Sequence, residues 1–325
     1  MMDRRTFIGT VAGGLLAGPL MVDAQQAGKL PVVGVLINNA TRSPTLRAFE
    51  QGLRDLGYVD GKNIIIEIQS AGGKPGALPG LAAELVRRKV DIIFASGPAA
   101  ISAAREATSV SPIVAMDLET DPVEAGWVKS LARPGGNLTG LFLNLPSLAG
   151  KWLELLRAAA PGIRRVGVLW DSTTGSAQLI AARAAAPGFA LDLQVMEVRS
   201  DEGIDAALRA GVGAGSRSLV ILSSPAISNH QKEIADFALK NRMPAISPFR
   251  SFADAGGLLA YGPDVNDMRR RAASYVDKIL KGAKLGDLPI EQPTNFEMVI
   301  TLRTAKALGL TIPQSLLLRA DEVIQ

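Results

Sequence analysis

Polar residues gather wherever an apolar run of this chain stops. Asn38-Asn39 close PVVGVLI, Ser96-Gly97 close VDIIFA and Asp117 closes PIVAM, while Asp171-Ser172 follow RVGVLW, Ser223-Ser224 follow SLVIL, and Ser247 to Arg250 end a short run beginning at Pro244. Short hydroxyl, amide and carboxyl side chains of this kind suit hydrogen bonding to a small solute. Nucleophilic catalysis needs a nucleophile paired with a base, and no such pairing stands out. The nucleophile elbow Gly-x-Ser-x-Gly, the phosphate loop Gly-x4-Gly-Lys-Ser/Thr and, after the first strand, Gly-x-Gly-x-x-Gly are all missing. Gly211 to Gly215 is glycine-rich but precedes a strand, so it reads as a helix terminus and loop. The one histidine, His230, reads as a surface or capping residue. Without cysteine, and without a clustered acidic loop, no metal site, disulfide or cofactor is expected. Acidic pairs such as Asp201-Glu202 and Asp321-Glu322 read as helix starts, where carboxylates favour the positive end of the dipole.

The elements that must hold these polar ends alternate regularly. Strand patterns at 31–38, 63–69, 90–95 and 112–116 are interleaved with helix patterns at 45–57, 78–89 and 98–108, and Pro98 stands where a helix start tolerates proline. The rhythm restarts with helices at 147–160, 178–186, 202–210 and 229–242 between strands at 165–170, 191–198, 218–222 and 244–247. Alternation at this interval means parallel βαβ units, and two successive sets mean two α/β lobes. The break falls in Arg133 to Pro146. Crossings between lobes are expected there, at Gly256 to Asp267, which carries Tyr261 and Asp264, and at Pro289 to Ile300, with an amphipathic helix from Met268 to Gly282. In open parallel sheets ligands collect beyond the carboxyl ends of the strands. The polar ends listed above, with Phe249, Arg250, Tyr261 and Asp264, are therefore the expected lining of an interlobe cleft. Arg250 is suited to gripping a carboxylate, and Phe249, Tyr261 and Trp170 to holding an aromatic body.

The first 27 residues carry a different message. Arg4-Arg5-Thr6-Phe7-Ile8 precedes an uncharged run to Val22, and Val22-Asp23-Ala24 offers small residues for cleavage. This predicts an export signal resembling the twin-arginine type, with the general secretory route as the alternative. A mature chain of about 300 residues then works in the periplasm, without a lipid anchor because cysteine is absent. The net charge of +4 is modest. Arg87-Arg88-Lys89 and Arg269-Arg270-Arg271 read as solvated helix faces, so nucleic acid is not an expected partner.

One long motif narrows the reading. Asp121-Pro-Val-Glu-Ala-Gly-Trp-Val-Lys-Ser-Leu-Ala-Arg-Pro-Gly-Gly-Asn-Leu-Thr-Gly140 resembles the signature of a substrate-binding protein family of ABC transporters, similar to the tryptophan/tyrosine-type binding proteins. Phe49 to Gly57, Ala260 to Asp264, Tyr275 to Ala283 and Thr304 to Pro313 carry the resemblance nearly end to end. It implies the type I periplasmic-binding fold, two Rossmann-like lobes joined by three crossings: residues 28–142 with 266–290, and residues 143–265 with 291–325. It also implies capture of a small organic solute and its delivery to a membrane permease driven by a cytoplasmic ATPase, and a freely diffusing pair of lobes is most simply a monomer. A sensor module serving a membrane receptor and a periplasmic hydrolase are the alternatives. Aromatic amino-acid binders of this type tend to carry an acid after the strand matching Ser218 to Leu222. Here Ser223-Ser224-Pro225 stands in that place, which leaves Asp117, Asp171 or Asp264 to meet an ammonium group.

Overall fold

A computed structural model describes residues 29–38 and 44–325. The expected export signal and Asn39 lie outside the described residues. Val32–Ile37 (β1) is buried at every position, as a central parallel strand covered on both faces must be. Pro44–Asp55 (α1), Ile65–Ser70 (β2), Leu78–Arg87 (α2), Ile92–Ser96 (β3), Pro98–Ala107 (α3), Ile113–Asp117 (β4) and Leu138–Phe142 (β5) complete a five-stranded parallel sheet of order β2-β1-β3-β4-β5.

The second sheet has seven strands. Ala149–Ala159 (α4), Arg165–Asp171 (β6), Ala177–Ala185 (α5), Asp192–Val198 (β7), Ile204–Gly213 (α6), Leu219–Ile221 (β8), Pro225–Asn229 (α7), Gln231–Lys240 (α8), Ala245–Ser247 (β9), Arg250–Asp254 (α9) and Leu259–Pro263 (β10) follow in turn. Then come Val265–Leu280 (α10), Phe296–Thr301 (β11), Leu302–Ala307 (α11), Gln314–Leu317 (α12) and Glu322–Ile324 (β12). The order is β12-β11-β10-β9-β8-β6-β7, with β11 antiparallel to β10 and the other pairings parallel. These are the two α/β lobes with mostly parallel sheets that the strand-helix alternation predicts.

The chain passes between the sheets three times: after β5, after β10 into α10, which packs on α1, and again before β11. The last passage touches the first, because Phe142 N–H donates to Glu291 O and Glu291 N–H to Gly140 O, both at 3.0 Å. Thr139 Oγ1 adds a bond to Leu288 O at 2.8 Å. Trp152, wholly buried on α4, donates its Nε1–H to Tyr261 O at 2.8 Å and so ties the first passage to the second.

The Asp121–Gly140 motif is explained by backbone demands. Asp121 Oδ1 accepts from Val123 N and Glu124 N at 2.8 and 3.1 Å, Asn137 Nδ2 donates to Thr108 O and Ser111 O, and Gly136 and Gly140 hold φ of +116° and +142°. The motif builds the wall between β4, β5 and the third passage.

Several local expectations are corrected. The helix expected over 229–242 is α8, and a separate short helix, α7, precedes it, capped by Ser224, which accepts from Ile227 N at 3.2 Å, with Pro225 at its first position. The helix expected from Met268 starts at Val265. Asp321-Glu322 opens no helix: Glu322 begins β12, and Asp321 Oδ2 accepts from Met298 N at 2.7 Å.

Candidate functional site

The register of the first sheet sets Ile37 level with Ser96, and Ser96 level with Met116, so Asn38, Gly97 and Asp117 form one row at the carboxyl ends of three adjacent strands. In the second sheet Leu169 pairs with Ile221, which puts Asp171 and Ser223 level at the same edge. The two edges touch. Ser223 Oγ donates to Glu119 Oε1 at 2.5 Å, linking residues of different sheets that are both buried.

Asp117 is fully buried. Its Oδ1 accepts from Glu119 N at 2.8 Å and Thr120 N at 3.2 Å, which fixes the turn after β4, while its Oδ2 has no partner. Burial holds its carboxyl above the usual aspartate range. The adjoining Glu119 carboxyl is pushed up to about 8, by burial first and by the charge of Asp117 second. Arg269, on the first turns of α10, is pulled down to about 9 by burial and partly restored by Glu119. The arginine triplet therefore does not form one solvated face. Arg269 turns toward Glu119, Arg271 pairs with Glu291, and Arg270 is the exposed member.

Asn38 Oδ1 and Ser247 Oγ, at the ends of β1 and β9, are also buried and without partners. Buried polar atoms are nearly always paired; Ser216 Oγ and Gln231 Oε1 are unpaired as well, so it is the place of Asn38, Asp117 and Ser247 at strand ends that makes them candidates.

Other predicted residues have structural duties. Asp171 accepts from Thr173 N, Thr173 Oγ1 and Ser224 Oγ at 2.9, 2.7 and 2.6 Å, so it shapes its own turn and orients Ser224. Ser172 turns back toward Val198 O at 3.4 Å. Asp264 is the N-cap of α10, accepting from Asn266 N and Asp267 N at 2.8 and 3.0 Å. Phe249 is buried in the large core, Tyr261 stacks on Phe296 at 6.2 Å, and Trp170 donates to Gly175 O at 2.7 Å.

Arg250 is placed against its expected role as a carboxylate clamp. Its Nη1 lies 2.6 Å from Glu322 Oε2, with Glu297 and Asp254 at 3.7 and 3.4 Å, and Glu322 raises the pKa of its guanidinium. Arg250→Ala is expected to shift unfolding by less than about 1 kcal/mol, since the side chain is 40% exposed, and to leave solute affinity within about twofold by calorimetry.

Sequence reading missed Glu119, Gln178 and Arg269. Gln178 holds the Ser223 backbone at both ends, Nε2 to O at 3.2 Å and Oε1 from N at 3.0 Å. Its signal was a lone amide on the otherwise apolar buried face of α5. Glu119 stands two residues past a strand end already singled out. Two open hollows of about 510 and 270 Å³, one bordered by Leu302 and Ile312 and the other by His230 and Glu233, lie apart from all of these residues.

Two α/β lobes that meet edge to edge, with unpaired polar atoms at the strand ends, define a solute-binding architecture. The chain belongs to the ABC transporter substrate binding protein family, whose model matches residues 32–324. It is similar to a tyrosine-binding protein of Clostridioides difficile (strain R20291), at 27% identity over 288 residues, covering 86% of this chain and 80% of that one. Among solved structures it resembles the ABC domain of Streptococcus pneumoniae in complex with L-Trp, with a TM-score of 0.83 and 25% identity over 91% of this chain and 100% of that one. A conserved domain protein of Vibrio cholerae matches with a TM-score of 0.82 and 26% identity over the same shares. No helix among the described residues is long and apolar enough to cross a membrane.

Proposed function

We propose that this chain is the exported solute-capture component of an ABC import system, holding a small amino-acid-like or aromatic solute between its lobes. The observation that carries the reading is the set of buried, unpaired atoms Asn38 Oδ1, Asp117 Oδ2 and Ser247 Oγ at strand ends of both lobes. Relatives that bind tyrosine or hold L-Trp support an aromatic amino acid as the first solute to try. Residues 28–142 with 266–290 form one lobe and residues 143–265 with 291–325 the other. Closure around the solute then creates the surface that a membrane permease, driven by its ATPase, reads in the periplasm. Ligand acts only through its higher affinity for the closed arrangement. The chain works as a monomer, without cofactor, metal or catalytic residue.

The test is thermal unfolding of the mature chain, from Gln25 onward, against aromatic and aliphatic amino acids, carboxylates, nucleobases and sugars. At 1,000-fold excess over Kd a true ligand adds about 4 kcal/mol, a shift on the order of 10 °C. A flat panel from folded, ligand-free protein would count against solute capture. Asn38→Ala with Ser96→Ala removes the response if the row beyond β1 and β3 is the site.

A further inference from the structure

The cleft holds an unusual charge arrangement that solute capture alone does not explain. Asp117 and Glu119 are both buried, two residues apart on the turn after β4, and the charge of Asp117 acts on the Glu119 carboxyl. The groups facing Glu119 are Asp117 from its own segment, Arg269 from α10 and the uncharged Ser223 from the second lobe; Asp171 stands behind Ser224. Two adjoining buried carboxylates with one arginine leave a net negative charge out of water, which a low-dielectric site tolerates poorly. One proton on the pair restores balance. So does one positive charge from a ligand, and the unpartnered Asp117 Oδ2 is the atom to receive it.

We propose that Asp117 and Glu119 together form a cation anchor whose proton is exchanged for the positively charged group of the solute. The inference rests on the solute-binding reading and gives it a substrate class: a protonated amine or amidine, with or without a carboxylate elsewhere. A proton on the pair lets Glu119 stand near Asp117 while it accepts from Ser223 of the second lobe. When the cationic group arrives, Asp117 Oδ2 and Glu119 take it, and the displaced proton leaves to solvent.

The sign of the pH dependence follows. Glu119 is held near 8 in the folded protein, above the ordinary 4.5 that it regains on unfolding. Its contribution to stability is complete below about pH 4.5, declines as pH rises and is gone above about pH 8. Without ligand, the wild type should therefore lose melting temperature relative to Glu119→Gln between pH 5 and pH 8, and the difference should level off above. Parallel profiles would overturn the proposal whatever the protein binds.

The second arm uses L-tyrosine, tyramine and 3-(4-hydroxyphenyl)propionate, titrated into the wild type at pH 7 in phosphate and in Tris. The two amines are expected to bind with an enthalpy that differs between the buffers in proportion to the proton released, up to one per ligand. The propionate, lacking the cation, should bind at least tenfold more weakly. Buffer-independent amine binding, or equal binding of the propionate, sinks the exchange and leaves solute capture standing; capture itself is judged by the wider thermal panel.

Discussion

Gly140→Ala is expected to lower stability by about 4 kcal/mol or more, enough to leave much of the protein unfolded at ordinary temperatures. Two costs combine. The residue holds φ of +142°, a conformation that side chains rarely adopt, and a Cβ there would lie 1.9 Å from Ala115 O and 2.7 Å from Ala115 N. Those are backbone atoms of the paired strand, since Ala115 and Gly140 face each other in the β4–β5 register, so neither can retract without opening the sheet. The other edge of β5 is occupied by Glu291, so the damage spreads to the third passage between lobes. Urea denaturation followed by circular dichroism measures it. Gly57→Ala is the control: φ is +88° with nothing within 4 Å of a new Cβ, so only the backbone cost of about 1–2 kcal/mol remains. A Gly140→Ala protein as stable as that control would contradict the assignment.

Asp117→Asn should leave folding intact and weaken solute binding by about 2–5 kcal/mol, roughly 30- to 5,000-fold in Kd. The amide oxygen can still accept from Glu119 N and Thr120 N, so the turn after β4 survives. What disappears is the charge and the unpaired acceptor at Oδ2. Because burial opposes ionisation of Asp117, the empty variant should melt no lower than the wild type near pH 7. Calorimetry with a ligand found in the thermal panel decides the matter. Wild-type affinity would remove Asp117 from the site, whereas lost binding together with a lower melting temperature would mean structural damage.

How far the sequence could be read depended on whether a residue's partner was local. β1 was plain from its continuous apolar run, because a parallel strand covered on both faces has no polar alternation to disguise it. Pro98 marked the start of α3 for a reason contained in the residue itself. The strand ends were equally visible, and Asn38, Gly97, Asp117, Asp171 and Ser223 do stand in rows at the carboxyl edges. Nothing local distinguished an aspartate that caps from one with a free oxygen. Asp264 and Asp171 spend their oxygens on nearby N–H and hydroxyl groups, while Asp117 keeps one in reserve.

The arginines failed for a related reason. Consecutive residues of a helix point in different directions, at 3.6 per turn, so a charged triplet need not share one surroundings. The charge of Glu119 acts on Arg269 and Glu291 pairs with Arg271, both from segments that folding alone brings near. Arg250 drew attention as a lone cation near a strand end, and its acidic neighbours Glu297 and Glu322 arrive from β11 and β12.

The first strand of one sheet and the edge strand of the other have a practical use. Pro31 leads directly into β1, and Gln325 directly follows β12. Fluorophores fused ahead of Pro31 and behind Gln325 would ride on different sheets. With the proposed closure around a solute, energy transfer between them would turn the protein into an optical gauge of its own occupancy, readable without knowing in advance which molecule fills it.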